Sequence, residues 1–91
     1  MAKLVTYDLK RADIIDYEKL YDAIKSYQPS SRITESCWLV TSSEPAVNIG
    51  NYLGGFIHSD DRLFVADITN KGASWQNPMC GVVFLQNNIN K

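Results

Sequence analysis

The stretch Lys3 to Leu9 constrains the fold of this chain more than any other. Leu4, Thr6 and Asp8 alternate with Val5, Tyr7 and Leu9, and the β-branched and aromatic content predicts a strand. Its nearly continuous apolar character places that strand centrally in a sheet. Asp16 then reads as the N-cap of a helix running to about Tyr27, after a polar connection from Lys10 to Ile15. Leu20, Ile24 and Tyr27 follow i, i+4, i+7 spacing with Tyr17 and Tyr21 beside them, an apolar stripe wide enough to cover a sheet. Pro29 ends the helix.

β-propensity returns in Arg32-Ile33-Thr34 and in Cys37 to Thr41, interrupted by Glu35-Ser36, which predicts a tight hairpin or a bulged, bent strand. Ser43-Glu44-Pro45 reads as a helix start, with Ser43 as cap and proline in the first turn, where its missing N–H does no harm. Ile49, Leu53, Phe56 and Ile57 supply the buried face of that helix, and Gly50, Gly54 and Gly55 weaken it by roughly 1 kcal/mol each relative to alanine. His58 to Asp61 is a polar turn, Arg62 to Thr69 a second strong strand, and Asn70-Lys71-Gly72 a break. Asn77-Pro78 reads as the cap and first residue of a final helix carrying Met79, Val82, Val83, Phe84, Leu85 and Ile89. Val82 to Leu85 would also suit an extra strand.

Strand, helix, two strand pieces, helix, strand is the order of an α+β fold, the ferredoxin-like βαββαβ sandwich: an antiparallel sheet with two helices on one face, here followed by a C-terminal helix or extra strand. The 91 residues suit a single domain, residues 1–91, and a chain of this size gains from burying a further apolar face against a second copy. The formal net charge of −1 lacks the positive excess that drives non-specific phosphate binding, although Lys3, Lys10, Arg11 and Arg32 could gather into a local basic patch. The start of the chain carries no signal-peptide pattern and no run is long enough to span a bilayer, so a cytoplasmic protein without a membrane partner is expected. Cys37 and Cys80 lack metal-ligand spacing and read as core thiols in a reducing compartment.

In the expected topology the C-terminal end of the first strand meets the N-terminal ends of its two neighbours, so Asp8 approaches Glu35-Ser36 and Asp60-Asp61. A strand-end aspartate near further carboxylates and a hydroxyl offers hard oxygen ligands for Mg²⁺ or Mn²⁺, which could activate water against a phosphodiester. Such aspartates also commonly cap turns or pair with lysine and arginine. The single histidine, His58, reads as an exposed turn residue, and one histidine with two distant cysteines makes zinc improbable. Trp38 reads as core, and Trp75, in a polar stretch, as a packing or interface anchor.

The opening Leu4-Val5-Thr6-Tyr7-Asp8-Leu9, the Ser36-Cys37-Trp38 step and Asp60-Asp61-Arg62-Leu63 entering a later strand resemble the small CRISPR-associated adaptation subunit and its relatives. These relatives include the virulence-associated protein D ribonucleases and short SinR-like proteins. The first helix carries Tyr17-Glu18-Lys19 and Asp22 in place of the arginines of many adaptation subunits, so the likeness is closer to the SinR-like members. The resemblance implies a ferredoxin-like homodimer in which Asp8 of each copy holds a divalent metal at the dimer cleft. The resulting expectation is a Mg- or Mn-dependent nuclease acting on RNA or DNA in a defence or toxin-antitoxin context, with Asp8 and Ser36 as catalytic residues. The alternative is a non-catalytic dimeric interaction module of the same fold.

Overall fold

A computed structural model describes residues 1–10 and 13–89. The strands β1 (Ala2–Asp8), β2 (Ser30–Thr34), β3 (Cys37–Thr41) and β4 (Arg62–Asp67) form one antiparallel sheet in the order β2-β3-β1-β4. The central placement expected of the first strand is therefore observed. Among the described residues three helices accompany the sheet: α1 (Ile14–Lys25), α2 (Ala46–Gly54) and α3 (Val82–Asn88). None of the described helices is long and apolar enough to cross a membrane.

Alternation along β1 sends Val5 and Tyr7 to one face, where Trp38 and Val40 of β3 join them. Leu20, Ala23 and Ile24 of α1 and Ile49 and Leu53 of α2 close over that layer as the main core. Leu20, Ile24, Ile49 and Leu53 lose all solvent contact, and burying a side chain of this size stabilises the fold by about 1.5–3 kcal/mol. On the opposite face Ala2 and Leu39 pack with Cys80, Leu85 and Ile89, so α3 covers the end of the sheet where β1 begins.

Several boundaries differ from the sequence reading. α1 starts at Ile14, with Asp13 rather than Asp16 as N-cap. The Asp13 carboxylate accepts from the Asp16 N–H at 3.0 Å and the Asp16 carboxylate accepts from the Asp13 N–H at 3.2 Å, a reciprocal pair that satisfies two helix-end donors. Ile14 and Ile15 are exposed, off the buried stripe, which is why they resemble a connection. The Arg11-Ala12 part of that connection, and with it Arg11 of the basic patch, lies outside the described residues.

The Arg32 to Thr41 region is a hairpin whose register shifts between Arg32 and Thr34, so both the tight turn and the bulge are present. α2 has Pro45 at its N-cap without a side-chain hydrogen bond, and Ser43 does not cap it. Instead the Ser42 hydroxyl accepts from the Glu44 N–H at 3.0 Å, one residue earlier than expected. Phe56 lies past the end of α2 and is exposed, leaving Ile49 and Leu53 as the buried pair.

The last strand ends at Asp67 instead of Thr69, because the Asp67 carboxylate accepts from both the N–H and the hydroxyl of Thr69 and turns the chain. Asn77 does not cap α3. It takes a left-handed φ of 51°, and the following Met79 N–H donates to the Ile33 carbonyl at 2.8 Å, so the segment runs along the edge of β2 before the helix starts at Val82.

Candidate functional site

α3 covers only one end of its face. Toward the other end of β1, Leu4, Thr6 and Asp8 share that face with Ala66, Phe64 and Arg62, their partners on β4, and with Leu39 and Cys37, the β3 partners of Leu4 and Thr6. Phe64 is 61% exposed there, while Leu4, Thr6, Cys37 and Ala66 are half-buried. The sheet thus presents an open apolar strip beside the helix, bounded at its far end by Asp8 and Arg62.

Asp8, the residue singled out as a metal ligand, ends β1 with an exposed carboxylate 3.8 Å from the Arg62 guanidinium. Both side chains are mostly in solvent, so the pair adds little to stability. Its consequence is local: a cation lies beside the carboxylate. Ser36 sits in the exposed turn between β2 and β3, and its carbonyl accepts from the Tyr7 N–H at 3.1 Å, which brings its backbone beside the residue preceding Asp8.

Of the further carboxylates expected around Asp8, Asp61 has other partners. Asp61 accepts the Lys10 N–H at 2.8 Å and the His58 N–H at 2.9 Å, and these two donors hold its carboxyl below the usual range. Its role is to tie the β1 exit to the turn before β4. Glu35 enters through its carbonyl, which accepts from the Tyr7 hydroxyl at 3.2 Å. Among the described residues no group of three or more histidine, cysteine, aspartate or glutamate side chains is arranged to hold a metal ion.

Lys3 and Arg32, two of the residues that could have gathered into a basic patch, are not surface charges of that kind. Lys3 is buried against the helix-covered face, donating to the Ser42 carbonyl at 3.0 Å with Asp67 3.6 Å away, and so contributes no surface charge. Arg32, on β2, is the register partner of Trp38 on β3 and lies beneath α1. His58 is exposed as expected, with Nε2 4.0 Å from an Asp16 carboxylate oxygen. Cys80 is buried, Cys37 half-buried, and burial raises both thiols above their ordinary range.

Trp38 is core as expected, and it also belongs to a polar network that the sequence reading missed. The Trp38 indole donates to the Tyr7 hydroxyl at 3.2 Å, and the Tyr21 ring lies 5.5 Å from Trp38 and 6.2 Å from Tyr7. Burial raises the Tyr7 phenol far above its usual range, with the neighbouring Tyr21 hydroxyl acting in the same sense, so Tyr7 stays a neutral donor. Strand alternation groups residues within each strand, but that Tyr7, Trp38 and Arg32 share the helix-covered face follows from the cross-strand register.

No protein-family model matches the chain.

Proposed function

We propose that this chain works as a homodimeric interaction module of ferredoxin-like architecture, pairing through the open strip of its sheet. The observation that carries the reading is Phe64, a large aromatic 61% exposed in the middle of a strand, among half-buried Leu4, Thr6, Cys37 and Ala66. A second copy is the occupant that fits, because the strip ends in one carboxylate and one guanidinium. Under two-fold symmetry Asp8 of each copy can face Arg62 of the other. The ferredoxin-like assignment draws support from the βαββαβ order of the first six elements and from the strand order β2-β3-β1-β4, read from the other edge as β4-β1-β3-β2.

Sedimentation equilibrium tests the pairing. The wild-type chain is expected to reach dimer mass at micromolar concentration, and Phe64→Glu to stay monomeric with unchanged far-UV circular dichroism. A wild-type monomer at high concentration, or a Phe64→Glu dimer, would reject it.

A metal-dependent nuclease acting on RNA or DNA is the second reading, favoured by one specific feature. Asp8 lies on the face proposed to pair, so a dimer brings a second carboxylate toward a site that one chain leaves incomplete. Mn²⁺ calorimetry on the dimer separates the two readings: a saturable heat that vanishes in Asp8→Ala supports the nuclease, while no heat leaves the interaction module alone. Ser36 would then stand near the metal as a hydroxyl from the adjacent turn.

A further inference from the structure

On the helix-covered side of the sheet, a groove of about 410 Å³ opens between the C-terminal half of α1 and β2. That volume suits a small ligand. Its wall includes Tyr21, Lys25, Ser30, Ser31, Arg32 and Trp38, and among the described residues the charged ones lining it are Lys25 and Arg32, both cations. A concave site with two positive charges and flanking hydroxyls selects an anion.

Arg32 is the informative residue. It is half-buried, yet among the described residues it makes no ion pair with a carboxylate. A guanidinium carries five N–H donors, and one is engaged here, with the Tyr21 hydroxyl at 3.0 Å. The guanidinium carbon lies 5.2 Å from the centre of the Tyr21 ring, and that ring is itself packed on Trp38. Trp38 is fixed in turn through Tyr7 to the Glu35 carbonyl. The cation is thus held in position by the Tyr21 ring without a carboxylate partner among the described residues, an arrangement that leaves its remaining donors for a planar or tetrahedral oxyanion.

We propose that Arg32 and Lys25 form the anion-binding end of a small-molecule site in this groove, taking the phosphate or carboxylate of a soluble ligand. The site is independent of the proposed dimer, because Arg32 and the open strip lie on opposite faces of the sheet.

Trp38 lines the groove and reports on it once Trp75→Phe removes the other indole. In that background the chain is titrated with inorganic phosphate, adenosine monophosphate and citrate at constant ionic strength. The first two arms identify a phosphate site and the third a carboxylate site. At least one is expected to change Trp38 fluorescence saturably with a Kd below about 1 mM. Arg32→Gln then weakens binding by roughly tenfold or more, and Arg32→Lys by less.

Lys25→Gln, an exposed change in the last turn of α1, weakens binding several-fold and keeps the test open if Arg32→Gln fails to fold. The proposal is overturned if none of the three anions gives a saturable response up to about 10 mM. It is equally overturned if the response survives unchanged in both folded variants, or in Lys25→Gln where that is the only one to fold.

Discussion

Lys3 is a lysine that a surface-charge reading places in solvent and the fold places inside. It sits on the side of β1 that carries Val5 and Tyr7, so its stem is covered by the main core and its ammonium has to find partners there. It finds the Ser42 carbonyl and, at the margin, Asp67. Replacing it with methionine keeps most of the packing and leaves that carbonyl without its donor. Lys3→Met is expected to lower unfolding stability by about 1–3 kcal/mol, read as a shifted urea midpoint at unchanged slope. An unshifted midpoint would mean that the ammonium contributes nothing where it lies. Asp8 is the converse case: its strand-end position was legible from the pattern of β1, whereas its pairing with Arg62 depends on a cross-strand register that sequence spacing does not disclose.

At the scale of elements, α1 shows why boundaries are harder to read than cores. Its stripe of Leu20 and Ile24 was legible because burial follows helical period, but the sequence reading puts the cap at Asp16, three residues after the Asp13 that the structure uses. Both aspartates take part, one as cap and the other as its reciprocal acceptor. Asp13→Ala is therefore expected to cost about 1 kcal/mol and Asp16→Ala less, measured by thermal unfolding. Equal or reversed losses would contradict the capping assignment. The strands were legible to within about two residues, since alternation marks their interiors. The path from Asn70 to Gly81 was not, because its course depends on a contact with the edge of β2 and on the left-handed backbone at Asn70 and Asn77. α3 was only one of two readings of its segment, helix or extra strand, and the face it covers was not legible. Its apolar residues can be counted in sequence, while their docking on Ala2 and Leu39 appears only in three dimensions.

For the whole molecule, two helices close one face of the sheet and one short helix closes only part of the other, and this asymmetry is what a second copy would complete. The same incompleteness links the readings of Asp8, because only pairing could convert a single carboxylate beside a guanidinium into a shared site. Cys37 offers a direct view of the strip, since it lies opposite Thr6 on the open face while Cys80 is buried elsewhere. The decisive measurement is the rate of Cys37 alkylation, followed by peptide mass, as the protein concentration is raised through the dimerisation range. Pairing through the strip predicts that Cys37 becomes progressively protected in the wild-type chain and stays equally reactive at all concentrations in Phe64→Glu. A dimer whose Cys37 reacts as fast as the monomer's would show that the copies meet elsewhere, and the account of this face would be wrong.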